Sequence, residues 1–241
     1  MGKKHLSVLM LYIRSSITPL LCTVILVSGI QTGLFLWELQ RGAAALETVM
    51  QPDYFKWGFI GGTIFLVAFL YHMNGGGYTL RRLRVSERTV FLWHVFSCFL
   101  CFVILWMAEI VILTALCQYY LAQEIASGLS NQALFLAFYR NEFLHSILPL
   151  ESVSRWFYLF FAFASLAFVT AGAVVRKRYG RNIRNNAPLS MTFVAMLFYF
   201  VRPLGSLASD AMLCLFHLAV ILYSLWDVWF NAEEVTSDEN D

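Results

Sequence analysis

Charge is the scarcest property of this chain. Only 13% of its 241 residues are Asp, Glu, Lys or Arg, against 59% hydrophobic and 17% aromatic. A soluble domain carries about 25% charged residues, so a fully water-facing surface is excluded. Motifs of chemistry are missing as well. The chain has no G-x-x-x-x-G-K-[ST] nucleotide loop and no H-E-x-x-H zinc site. It also lacks a G-x-S-x-G nucleophile elbow. Paired acids occur only in the C-terminal tail, at Glu233 and Glu234. A membrane-embedded enzyme is therefore disfavoured, and this chain cannot hold ATP in a phosphate loop. No internal repeat is visible. Cysteine is sparse: Cys22, Cys98, Cys101, Cys117 and Cys214 all fall in apolar runs, which argues for small buried hydrophobes rather than a disulfide framework. The C-x-x-C pair at 98 and 101 has only Phe99 and Leu100 between its members and no polar activator.

What the chain has in quantity is apolar sequence in runs of about 20 residues, enough to cross ~30 Å of hydrocarbon. The runs place six spans at 17–37, 57–71, 91–121, 156–175, 191–207 and 211–230, with the second starting somewhat before Trp57. The first is longer than the apolar core of a signal peptide, about 7–15 residues. It is read as an uncleaved span although Ala43 and Ala45 mimic a cleavage site. Arg202 and Pro203 interrupt the fifth run. The expected fold is an all-α integral membrane protein, with a transmembrane domain over 17–230.

Charge asymmetry sets the expected direction. With the N-terminus inside, the inner segments hold Lys3, Lys4, Arg14, Arg81, Arg82, Arg84, Arg88, Arg176, Lys177, Arg178, Arg181 and Arg184. Arg41, Lys56, Arg140, Arg155 and Arg202 fall outside. Both termini are then cytoplasmic, in a plasma membrane. Trp37, Trp57, Trp93, Trp156, Trp226 and Trp229 lie near span ends, where indole rings anchor at interfaces. In residues 1–16, Leu6, Leu9, Met10 and Ile13 share a helical face, and Lys3, Lys4 and Arg14 can reach anionic headgroups. That pattern predicts an amphipathic helix flat on the inner leaflet. The extracellular segment 122–154 carries Leu134, Phe135, Phe138, Tyr139, Phe143 and Ile147 before Pro149, which predicts a helix resting on the leaflet or capping the bundle. Residues 231–241 read as an acidic disordered tail.

The most polar internal stretch is NGGGYTLRRLRVSERT, residues 74–89. Asn74 and Gly75–Gly77 can end the second span and reverse the chain, since glycine tolerates a left-handed backbone. Tyr78 to Arg84 can then form about two helical turns, with Leu80 and Leu83 in apolar contact and the arginines outward. Ser86 is placed to N-cap the third span, with Glu87 at its positive end. A basic cytosolic loop can serve topology alone. A glycine hinge, a short Leu/Arg helix and a capped long helix in that order can also push.

This stretch, with six spans and an inner-leaflet N-terminal helix, resembles the permease subunits of type-2 ATP-binding-cassette (ABC) exporters, above all the compact ATPase-less permeases of Gram-positive bacterial operons. The resemblance implies that Tyr78, Thr79, Leu80, Arg81, Arg82, Leu83 and Arg84, followed by Ser86 and Arg88, form a coupling helix docked on a separate ATPase. Arg84 stands where such loops often carry proline. ATP and Mg would then be held by the partner ATPase, with no cofactor on this chain. A second permease copy, identical or related, would complete the pathway, and no nucleic acid is involved. The cargo would be a peptide, a lipid or an amphipathic molecule. A non-transporting scaffold, sensor partner or immunity protein is the competing class.

Within the spans, Glu109 sits in LWMAEIVIL, where a charge costs at least ~2.5 kcal/mol unless paired or protonated. His217 is its nearest partner by expected depth. The pair would line a substrate path or a dimer contact, or else be structural. Asp210 is read as a cap of the last span, and Asp227 as solvated. His72 and His94 lie near the inner surface and are assigned no chemistry.

Overall fold

The computed structural model describes residues 2–41, 53–73, 86–122, 142–150, 152–178, 187–201 and 207–237. Every regular element among them is an α-helix: α1 (Gly2–Gln40), α2 (Tyr54–Met73), α3 (Glu87–Leu121), α4 (Glu142–Ile147), α5 (Val153–Arg178), α6 (Ala187–Val201) and α7 (Leu207–Ser237). Five are long and apolar enough to cross a bilayer, over Leu6–Gln40, Tyr54–His72, Glu87–Leu121, Val153–Arg178 and Leu207–Phe230. The remaining expected span is the 15-residue α6. At 1.5 Å rise it reaches about 22 Å, short of ~30 Å of hydrocarbon. Among the described residues, five long apolar helices and one short one thus stand where six spans were expected, and residues 202–206 of the fifth run lie outside the described ones.

The N-terminal residues depart most from expectation. Residues 2–16 do not form a separate interfacial helix; they are the first turns of α1, a single 39-residue helix containing Pro19. The face is also different. Leu6 and Met10 point outward at 58% and 61% exposure, whereas Val8, Tyr12, Ser16, Leu20, Thr23, Val27, Gln31 and Phe35 form the buried stripe. Their spacing of four and three residues is that of one helical face. Lipid tails are as apolar as leucine, so an apolar face has no obligation to turn inward. Here the inward face is the one that packs closely and finds hydrogen bonds.

Helix α5 is the hub. Its buried positions include Ala162, Ala167, Ala171, Gly172 and Ala173, small residues that let neighbouring backbones approach. Helices α7, α3, α6 and α2 all pack on it, and α1 packs on α2 and α3. Between α1 and α2 the approach is set by Gly58 and Gly62, a G-x-x-x-G pair. A Cβ on Gly62 would lie 2.5 Å from Val27 Cγ2, and one on Gly58 would lie 2.9 Å from Gln31 Nε2. Helix α4 wedges into one end of the bundle. Phe143 meets Phe59 and Phe200 at ring separations of 6.2 and 5.9 Å, and the carbonyl of Ile147 accepts from Trp106 Nε1 at 3.1 Å. Of the two placements expected for the 122–154 segment, this part takes the capping one. Leu134, Phe135, Phe138 and Tyr139 lie outside the described residues.

Candidate functional site

Tyr78, Thr79, Leu80, Arg81, Arg82, Leu83 and Arg84 lie outside the described residues, so the structure describes only what holds the two ends of their segment. On the α3 side, Ser86 occupies the N-cap position with an extended backbone (φ −60°, ψ 140°). Its carbonyl accepts from the amides of Thr89 and Val90 at 3.0 and 3.1 Å. Its hydroxyl does not cap. It pairs instead with the Thr89 hydroxyl at 2.8 Å, so Ser86 holds the expected N-cap position without a side-chain capping bond.

The two residues after Ser86 are tied to three other helices. Glu87 Oε2 accepts from Arg178 Nη1 of α5 at 3.3 Å, and Arg178 Nη2 donates to the Tyr12 hydroxyl of α1 at 3.2 Å. Tyr12 in turn stacks on His94 with ring centroids 4.4 Å apart. Arg88 lies over the Trp229 ring of α7 at 5.2 Å and donates to its carbonyl at 3.4 Å. Lys177 Nζ donates to the Tyr71 carbonyl of α2 at 3.4 Å, 4.6 Å from the ring centre. Arg176 Nη1 and Asp227 Oδ2 close the belt at 3.0 Å, their side chains 13% and 15% exposed. Asp227 is therefore not a solvated acid, as its sequence position suggested, but half of a nearly buried ion pair. His94 is buried within the belt; His72 is exposed beside Tyr71.

These contacts gather the start of α1, the end of α2, the start of α3 and the ends of α5 and α7 at one end of the bundle. Residues 74–85 join two helix ends at that same end. Individually the pairs are modest. Glu87 is 38% exposed, and pairs of that kind are worth about 0–1 kcal/mol. Collectively they fasten the first turn of α3 to α1, α5 and α7, a linkage that can pass a displacement of that turn to the rest of the bundle.

Deeper in the bundle, Glu109 and His217 do not meet. Glu109 Oε1 accepts from Gln31 Nε2 of α1 at 2.6 Å. His217 Nδ1 faces the Ser165 hydroxyl of α5 at 2.8 Å and lies edge-on to Tyr158 at 5.4 Å. Tyr158 stacks on Tyr199 of α6 at 4.0 Å. Depth along a helix can be read from sequence, but the direction a side chain points around its axis needs the neighbours. Gln31 was missed although it signals itself: it is a lone amide in an apolar run, and such residues face the bundle interior. Asp210, read as a cap of the last span, instead lies inside the first turn of α7, where its Oδ2 accepts from the Ser154 hydroxyl of α5 at 2.9 Å. No family model, curated protein or solved structure matches the chain.

Proposed function

We propose that this chain is the membrane-spanning permease subunit of an ABC exporter in a bacterial plasma membrane, with both termini cytoplasmic and ATP hydrolysed, with Mg, on a separate subunit. The observation that supports this reading is the anchoring of the first turn of α3, which follows segment 74–85 in the chain. Glu87 and Arg88, that segment's first described charged neighbours, are bonded to helices α5 and α7, and through Arg178 to α1. A partner bearing on Arg81, Arg82 and Arg84 would thus act a few residues along the chain from this belt. The cargo would be a peptide, a lipid or an amphipathic molecule, and two permease copies would share the pathway. Purification from native membranes, followed by mass spectrometry, tests the proposal. A Walker-motif ATPase should accompany the wild-type chain and be lost with the double charge reversal Arg81→Glu, Arg82→Glu. Recovery of the chain without any ATPase from membranes that contain it sinks the reading.

A second reading, a non-transporting scaffold, sensor partner or immunity protein, is favoured by the tight packing of α2 against α6. The space enclosed between α2 and α6, against Phe59, Thr63, Met196 and Phe200, has only about 10 Å³. In that case the chain copurifies with some other membrane protein and the charge reversal is silent.

A further inference from the structure

Two polar side chains at the seam of α1, α2 and α3 take no part in the belt. Gln31 is 0% and Glu109 1% exposed. The Gln31 amide donates to Glu109 Oε1 at 2.6 Å and to the Phe55 carbonyl at 3.4 Å, so both of its hydrogens are directed. Two atoms remain. Glu109 Oε2 and Gln31 Oε1 are buried and have no hydrogen-bonding partner among the described residues. In an ionised acid and an amide both are acceptors, and neither can satisfy the other. The ion pairs among the described residues do not include Glu109. A carboxylate here would exchange its hydration for one amide donor, a poor compensation in an apolar surround.

We propose that Glu109 and Gln31 form a proton-binding site, in which Glu109 carries a proton on Oε2 and donates it to Gln31 Oε1. The acid and the amide are then joined twice, by Gln31 Nε2–H to Glu109 Oε1 and by Glu109 Oε2–H to Gln31 Oε1. A single proton turns one orphaned acceptor into the donor for the other. The seat is shaped for this amide. A Cβ on Gly58 would lie 2.9 Å from Gln31 Nε2 and 3.3 Å from its Cγ, so glycine leaves the notch in α2 that the side chain fills. The bound proton ties α1 to α3. Its release would leave a charge in an apolar seam, so release requires α1 and α3 to part far enough to admit water. This inference does not depend on the ATPase partner.

Infrared difference spectroscopy on the full chain in lipid nanodiscs at neutral pH tests it. Wild-type protein should show a protonated-carboxyl C=O band that is lost in Glu109→Gln. In Gln31→Leu the band should persist but move to higher frequency, because the acid has lost its acceptor. Wild-type protein carrying carboxyl-13C glutamate gives a reading that needs no variant: the same band should shift to lower frequency with the label. Absence of any label-sensitive protonated-carboxyl band overturns the proposal. So does a band that appears only when Na⁺ and K⁺ are withdrawn, which would make the site a cation site. A band unmoved in folded Gln31→Leu also overturns it, since the proton would then not be donated to Gln31.

Discussion

Adding one methyl group at two adjacent glycines of α2 should have opposite consequences. A Cβ on Gly61 meets nothing within 4 Å, whereas a Cβ on Gly62 would stand 2.5 Å from Val27 Cγ2, with Thr23 Cγ2 at 3.7 Å. Carbon atoms rest about 3.5–4.0 Å apart, so Gly62→Ala asks for roughly an ångström of separation between α1 and α2. Val27 cannot swing aside cheaply, because a β-branched side chain in a helix is held to essentially one χ1 rotamer. Overpacking of this kind costs about 1–3 kcal/mol. The gain in helix propensity from Gly to Ala, up to about 1 kcal/mol, applies to both variants and cancels in their difference. Gly62→Ala should therefore be less stable than Gly61→Ala by about 1–3 kcal/mol, with Gly61→Ala at or above wild type. The assay is unfolding in mixed micelles of increasing SDS fraction, followed by circular dichroism. Equal midpoints for the two variants would refute the close approach of α1 and α2 at Val27, and with it the packing that seats Gln31.

Two further outcomes follow from the side-chain pairs. For Arg176 and Asp227, nearly buried and 3.0 Å apart, each single replacement by alanine should destabilise more than its share of the double replacement, with a coupling of about 0.5–3 kcal/mol in the same micelle assay; additive effects would remove the ion pair from the account of the belt. For Ser165 and His217, 2.8 Å apart between α5 and α7, a cycle of Ser165→Ala and His217→Phe should give a coupling of about 0.6 kcal/mol, the average for hydrogen bonds between membrane helices, and at most about 1.7 kcal/mol; a coupling near zero would mean that the two groups do not bond in the folded bundle.

Spans declared themselves in the sequence because a run of apolar residues has no other stable environment than hydrocarbon or a protein core. Azimuth did not. Leu6 and Met10 were read as a membrane-facing stripe on a separate helix, and they do face outward. The helix itself continues unbroken into the first span, because the burying stripe from Val8 to Phe35 runs straight through residue 16. Partners separated by long stretches of chain were equally hidden: Glu87 and Arg178 are 91 residues apart, and Gln31 and Glu109 are 78 apart. One local signal was present and unused. Gly58 and Gly62 spell a G-x-x-x-G pair, the usual mark of a close helix approach in membranes, and Gln31 lies on α1 where Gly58 makes room for it.

These contacts divide the bundle into a stiff part and a yielding one. Helices α1, α2 and α3 are held by glycine-mediated approach and by a buried polar pair, both of which tolerate little displacement. Among the described residues, helices α6 and α7 are not held to each other in this way; the polar contacts of α7 go to α5 and α3. Between them run two open spaces of about 380 and 490 Å³ that share Met191 and Phe216 and are lined almost wholly by apolar side chains. In a bilayer such a cleft is filled by acyl chains or by another helix, and dispersion contacts of that kind reform wherever the walls come to rest. Hydrogen bonds and glycine contacts do not reform so freely, because each needs a particular partner at a particular depth. A load applied at the belt reaches both parts at once, since Arg178 and Glu87 grip the stiff side while Arg88 and Arg176 grip α7. The less costly motion is then a shift of α7 against α6, with α1–α3 moving as a block.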